Sequence, residues 1–448
     1  MRVQVFKTWV RVRSSFWFLP AVLASGAMVL AFATVALDEP ATNWLTLNWG
    51  WTFTGGAEGA SSLLGVIAGS MITIAGVVFS MTLVTLSLAS SQLGPRLLRN
   101  FMRDTTTQTV LGTFVATFLY CLIVLRTIRR ADESLFVPHL SVTLGVLLAV
   151  LSVGVLIYFI HHVSVSIQVN EIVARVGTEL IEGMERLFPE NIGRGAPQVP
   201  REPPDAAFFD RFGREARPIG SAGDGYLQFV DGEALMDLAM QEDIVFRLER
   251  RPGHYVVATR PLMLVWPGSR VTDQLVERVN SAFALSNQRN PSQDIEFAVN
   301  QLVEIAIRAL STGVNDPFTT MACVDHFGSA LCRLAQRDMP SPYRYDTQDQ
   351  LRVITPVFTF PDVTDAAFNQ IRQYGRSSTA VTIRLLETIT EVAGSLRRPE
   401  DRAALLRHAK MIVRGARGGL LEDEDRQEVE KRFQSASQLL SESPDSNL

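Results

Sequence analysis

Residues 61–89 read SSLLGVIAGSMITIAGVVFSMTLVTLSLA, a run of 29 residues without one charged side chain. Its length decides its environment. About 20 apolar residues in a helix cross a hydrocarbon core roughly 30 Å thick. In lipid every backbone N–H and C=O must be satisfied inside the segment, so the run is a membrane-spanning α-helix. Ser62, Gly65, Gly69, Thr73, Gly76, Ser80 and Ser87 recur in it at spacings of three, four or seven and share one face. That face has two readings. Small residues let helix backbones approach closely in lipid. Alternatively, Gly65, Gly69, Thr73, Gly76, Ser80 and Ser87 line a narrow, uncharged, hydroxyl-bearing pore in an oligomer, with Thr82 and Thr85 adding polar groups near its inner end. A helix can pack at one level and line a pore at another, so the readings are compatible.

Three further stretches are long and apolar enough to cross: about Phe16–Leu37, Thr109–Leu125 and Pro138–Val163. Trp9, Trp17, Trp44, Trp49 and Trp51 flank the first two spans, where an interfacial aromatic belt belongs. The first stretch follows a basic segment (Arg2, Lys7, Arg11, Arg13) and contains Thr34-Val35-Ala36, tolerable chemistry for signal cleavage. It is longer than the apolar region of a signal peptide, so it reads as a retained anchor. Lys and Arg near the span ends set the orientation. The N-terminal segment is basic, the 38–60 loop has no Lys or Arg, and Arg96, Arg99 and Arg103 follow the second span. This places the N-terminus and the large C-terminal region on the cytoplasmic side of the membrane. Arg126, Arg129 and Arg130, partly offset by Asp132 and Glu133, fall on the other side as an exception.

No span carries Asp, Glu, Lys or Arg near its middle, where coupled transporters place ionisable groups. There is also no internal repeat of the kind transporter folds use. A passive channel made by several subunits passes this test and a secondary transporter does not. His161 and His162 close the fourth span, either as interfacial polar residues or as a pH sensor. Adjacent helical residues point about 100° apart, so the pair does not chelate one metal.

The whole chain of 448 residues is 47% hydrophobic and 20% charged, with mean hydropathy +0.15 and net charge −4. Its apolar residues are pooled in the first third, which excludes a purely cytosolic enzyme, a collagen-like chain and a disordered chain. With 46 acidic against 42 basic residues, nucleic acid is not expected as a partner. Cys121, Cys323 and Cys332 make neither a disulfide framework nor a CxxC zinc motif. No GxGxxG or GxxxxGK[ST] loop occurs. His254 is a lone strand residue. Cys323 and His326 share a helix face, but nothing orients them for catalysis, so they read as a buried thiol beside a polar imidazole. No nucleophile, base and orienting group converge, so no catalytic residue, metal or cofactor is expected and the chain does not read as an enzyme.

The transmembrane domain takes residues 1–164. Val169, Ile172, Val173, Val176, Leu180, Met184 and Leu187 continue at a helical period, so residues 165–188 read as a stalk prolonging the fourth span. Its apolar stripe calls for a partner, either elsewhere in this chain or the same stalk in a neighbouring subunit. Residues 189–225 are rich in Pro, Gly and Arg and read as a linker, with Phe208, Phe209 and Phe212 as a docking point. Residues 226–267 read as a small α+β unit. Strands are expected at Tyr226–Val230, Ile244–Leu248, His254–Thr259 and Leu262–Trp266, with a helix near Gly232–Met240. Residues 268–441 read as helical, with helices near Asp273–Leu285, Glu296–Leu310, Pro317–Gln336, Val363–Leu396, Glu400–Arg414 and Asp423–Leu440. Residues 442–448 read as a disordered tail. In Ser311-Thr312-Gly313-Val314-Asn315-Asp316-Pro317, Gly313 suits a helix end and Asp316-Pro317 suits the next start. A functional reading makes Asn315 and Asp316 a polar pair facing a cavity or subunit interface. The fold class is thus an all-α N-terminal membrane part of four transmembrane helices with a cytoplasmic α+β, mainly helical C-terminal region.

Two runs carry a family resemblance. One is Ser87-Leu88-Ala89-Ser90-Ser91-Gln92-Leu93-Gly94-Pro95-Arg96, followed by Phe101 and Asp104. The other extends from Arg308-Ala309-Leu310-Ser311 through Asn315-Asp316-Pro317-Phe318-Thr319. With Asp294-Ile295-Glu296-Phe297 and Gly225-Tyr226-Leu227-Gln228, the chain resembles a bacterial family of predicted inner-membrane proteins known as a domain of unknown function. The resemblance implies four spans and a large cytoplasmic region, and supplies no catalytic residues. Physically, Ser91 and Gln92 with Arg96, Arg99 and Arg103 form either a helix end with positive-inside anchors or an inner pore mouth whose positive rim favours anions. The leading expectation is a homo-oligomeric channel in contact with membrane lipid and with ions, gated or assembled by its cytoplasmic domain. The alternative is a non-conducting scaffold or signalling protein whose cytoplasmic domain binds a partner or small ligand.

Overall fold

The computed structural model describes residues 15–48, 53, 55–93, 104–129, 136–166, 168–188, 203–290 and 293–441, with the backbone alone at 39–48 and 89–93. The chain divides into two compact units, residues 1–171 and 172–448.

Among the described residues the first unit holds four long helices: α1 (Phe18–Asn48), α2 (Ala57–Leu93), α3 (Thr105–Thr127) and α4 (His139–Ser166). Each contains a segment long and apolar enough to cross a membrane: Phe18–Asp38, Ala57–Leu88, Thr105–Thr127 and His139–Ser166. Leu64, Phe114, Tyr120, Val124 and Val142 fill the interior. Polar side chains staple the helices where lipid offers no water. The Tyr120 hydroxyl lies 3.1 Å from Thr34 Oγ1 and donates to the Ser141 carbonyl at 3.0 Å. Thr117 and Ser152 meet at 3.2 Å. The buried Asp38 carboxylate accepts the N–H groups of Leu140 and Ser141 at 2.7 and 3.0 Å, capping the first turn of α4 from another helix.

The second unit contains α5 (Val169–Leu187), which starts just ahead of it, and α6 (Ala206–Glu215), β1 (Arg217–Gly220), β2 (Gly225–Val230), α7 (Gly232–Glu242), β3 (Val245–Leu248), β4 (Tyr255–Val256) and β5 (Pro261–Trp266). Then come α8 (Asp273–Ser281), β6 (Phe283–Ser286), α9 (Ile295–Ala309), α10 (Pro317–Ala335), β7 (Tyr343–Tyr345), β8 (Leu351–Ile354) and four helices, α11 (Phe360–Tyr374), α12 (Thr379–Ala393), α13 (Pro399–Gly419) and α14 (Asp423–Ser441). The strands form a five-stranded sheet, β1-β5-β3-β8-β7, and a three-stranded sheet, β4-β2-β6. Among the described strands only the β3–β8 pair is parallel, with Phe246 opposite Val353.

Five expectations need correction. The helix near Asp273–Leu285 ends at Ser281, and residues Phe283–Ser286 form β6 instead. The fourth span does not run on as one stalk: α4 ends at Ser166 and α5 begins at Val169. Ser164 and Ser166 are weak helix formers beside β-branched Val163 and Val165, and the Gln168 N–H turns back to the Val165 carbonyl. The 189–225 linker contains α6 and β1; Phe212 of α6 is fully buried against Val245 and Ile354. The α+β unit is not confined to 226–267, since β1, β6, β7 and β8 complete its sheets. Finally, the helix expected at Val363–Leu396 is two, broken at Gly375–Ser378 where Ser378 caps α12. The tail 442–448 and residues 189–202 lie outside the described residues.

Candidate functional site

The faces of α2 decide what its small residues do. Ala60, Leu64, Ile67, Ala68, Met71, Ala75 and Val78 turn into the core. Ser62, Gly65, Gly69, Thr73, Gly76, Ser80 and Ser87 all lie on the exposed side. A methyl group added at Gly65, Gly69 or Gly76 would meet nothing within 4 Å. Among the described residues, then, the stripe packs against no other helix of its own chain. Thr73 donates to the Gly69 carbonyl at 2.8 Å and Thr82 to the Val78 carbonyl at 2.7 Å, so these hydroxyls are satisfied along their own helix. The outward face of α2 thus combines glycine backbone and hydroxyl side chains with Val66, Val77 and Val84, each more than half exposed.

The end of α2 meets a polar cluster that the sequence did not pair. Asp104 caps α3, accepting from Thr106 N–H at 3.1 Å and Thr107 Oγ1 at 2.7 Å, and takes a third bond from His162 Nε2 at 2.9 Å. Ser166 Oγ lies 3.3 Å from the same nitrogen. Thr82, Thr85 and Phe16 close a small cavity of about 40 Å³ over the group. His162 is thus tied to a carboxylate 58 residues away, while its neighbour His161 is exposed. Ser91 and Gln92 fall in the last turn of α2, where side chains lie outside the described residues, as do Arg96, Arg99 and Arg103 altogether.

The second unit carries its own cleft. Cavities of about 640 and 310 Å³ share the wall formed by Val230, Leu248, Gln293, Arg344 and Thr355. Among the described residues Arg344 bonds to the carbonyls of Ser341 and Tyr343 and to no carboxylate, and burial holds its pKa below the usual guanidinium value. Across the smaller cavity Arg251 stacks 4.2 Å over Phe358 and pairs with Glu296 at 2.9 Å. The cleft therefore offers the Arg344 guanidinium to an anionic group, set among apolar walls.

Asp316 caps α10 through the Thr319 N–H at 3.2 Å, and Asn315 turns the chain with φ 49°, its side chain exposed. Neither lines the cleft. Cys323 is buried on α10, which pushes its thiol pKa up. His254 accepts from Arg251 Nε at 3.0 Å. Among the described residues no group of three or more His, Cys, Asp or Glu side chains is placed to hold a metal ion.

Four apolar helices followed by a folded, mainly helical α+β domain define a four-span membrane protein. The chain belongs to the family described as "Predicted membrane protein (DUF2254)", which matches residues 13–391. It is similar to uncharacterized proteins of Mycobacterium tuberculosis (strain H37Rv) and Mycobacterium bovis. Each is 33% identical over 385 residues, covering 84% of this chain and 71% of the relative. No solved structure matches.

Proposed function

We propose that the chain is one subunit of a homo-oligomeric, non-enzymatic channel in the bacterial inner membrane, with both ends in the cytoplasm and the small-residue face of α2 bordering the path. The outward position of that whole face carries the proposal. A conduit through one protomer is disfavoured because Leu64, Phe114, Tyr120 and Val124 fill the space between the helices. A path between copies needs a helix face that is narrow, uncharged and able to approach others closely, which Gly65, Gly69, Thr73 and Gly76 provide. The basic run Arg96, Arg99 and Arg103 after α2 would bias such a path toward anions. The stalk no longer argues for neighbours, because Ile172, Val173, Val176 and Leu180 are buried within the chain itself.

Thr73→Cys tests the path. In membranes it should react with a charged, water-soluble thiosulfonate, while Val150→Cys on the exposed side of α4 should not. Equal inertness of both would show that the α2 face sees only lipid or protein, and the proposal would fail.

A second reading is favoured by Arg344 in its cleft. There the membrane part is an anchor, and the C-terminal domain binds a small organic anion whose apolar portion rests on Leu248 and Val230. Ion flux from purified protein separates the readings, since the anchor conducts nothing.

A further inference from the structure

The turns joining α9 to α10, α11 to α12 and α13 to α14 lie together at one end of the C-terminal domain. A methyl group on Gly375 would touch Leu310 at 3.6 Å, one on Gly419 would strike the Arg376 carbonyl, and Thr379 Oγ1 donates to Asp425 at 2.9 Å. Among the described residues, the three most exposed large apolar side chains of the domain sit here: Leu421 at 91%, Phe318 at 77% and Tyr374 at 59%. Val314, 53% exposed, stands beside them on the first turn. Such a concentration at one end of a folded domain marks a contact surface.

Helix α5 identifies which end this is. A methyl group on Gly177 would strike the His326 ring, Glu185 pairs with Arg333 at 3.1 Å, and the Phe188 carbonyl accepts from Arg337. These pairs keep a separation of 148 or 149 residues, as in 326 − 177 = 149, so α5 and α10 run parallel. Continuing that register, 318 − 149 = 169 sets Phe318 level with Val169, the first residue of α5. Val169 follows the last residue of the fourth span, Ser166, by three chain steps, which reach no more than about 11 Å. The apolar tips therefore lie at the end of the domain where α5 begins, three residues after Ser166.

We propose that this end of the domain rests in the interfacial layer of the bilayer, with Val314, Phe318, Tyr374 and Leu421 inserted among headgroups and upper acyl chains. Aromatic and aliphatic side chains on adjacent turns suit that layer. The contact is not selected by charge, since both signs occur at this end: Arg376 and Glu422 lie in the turns, and Asp423 pairs with Arg426. Asp316 and Asn315 then act structurally, setting the turn that projects Val314 and Phe318. The contact requires no conduction.

The test uses the full chain with Cys332→Ser, carrying Phe318→Cys or Leu421→Cys with a nitroxide label, in phosphatidylcholine vesicles. Cys121 and Cys323 are buried and stay unlabelled. Both labels should collide preferentially with oxygen over a water-soluble nickel chelate. A label at Leu439→Cys, near the opposite end of α14, should favour the chelate. Preference for the chelate at 318 and 421 would overturn the proposal. So would exclusion of both reagents, which would mean that a second copy or a partner protein covers this end.

Discussion

His408 is fully buried on α13, its ring edge-on to Phe368 with centroids 5.7 Å apart. Its Nε2 lies 2.7 Å from Asp365 Oδ1, which Arg407 also reaches at 2.6 Å, and its Nδ1 has no hydrogen-bond partner among the described residues. A second proton would therefore sit on a buried nitrogen without an acceptor. Burial lowers the imidazole pKa, and Asp365 only partly opposes this. The unfolded chain takes up a proton at the ordinary value of about 6.5 while the folded chain resists it, so stability rises with pH through that window and falls on acidification below it. Thermal unfolding of the wild type should show this slope between about pH 5 and 7, and His408→Gln should flatten it. An unchanged slope would assign the pH response to other groups. Single residues also mark where sequence reading stops. The stripe from Ser62 to Ser87 was legible because helical spacing is local. The bonds of Asp38 to Ser141 and of Asp104 to His162 join residues 103 and 58 apart, and no spacing rule links them.

Among the elements, hydrophobic period revealed the helices, and the short strands escaped. The four apolar spans and most C-terminal helices announce themselves by length and periodicity. β1, β7 and β8 have only three or four residues each and become strands through the sheet they join. The break at Gly375–Ser378 was hidden because apolar residues continue on both sides of it. The amphipathic stripe of α5 was visible, but not that it meets α10 at Gly177 and α9 at Gly183. That docking depends on Gly177, where an added methyl would approach His326 Nδ1 and Cγ, the latter at 2.6 Å. Ala gains up to about 1 kcal/mol of helix propensity over Gly. The clash involves the first ring atom, which a ring flip does not move, so overpacking of about 1–3 kcal/mol wins. Gly177→Ala should lower the melting temperature of the C-terminal domain by several degrees, and adding His326→Ala should restore most of the loss. A neutral Gly177→Ala would show that α5 does not rest on α10 there.

Across the whole molecule, the two units present different surfaces for function. The membrane unit hides one face of α2 and leaves the small, hydroxyl-bearing face outward, while its own interior is filled with apolar side chains. The C-terminal unit holds an arginine-bearing cleft and a set of exposed apolar turns at one end. Conduction is best tested by anion and cation flux from liposomes containing only the purified chain, beside Gly76→Leu and Arg96→Glu. The wild type should conduct, Gly76→Leu should block the flux by filling the narrow face, and Arg96→Glu should shift selectivity away from anions. Absence of flux from the wild type across voltage, pH and membrane tension would refute a conducting α2 face, and would move the search for function to the Arg344 cleft.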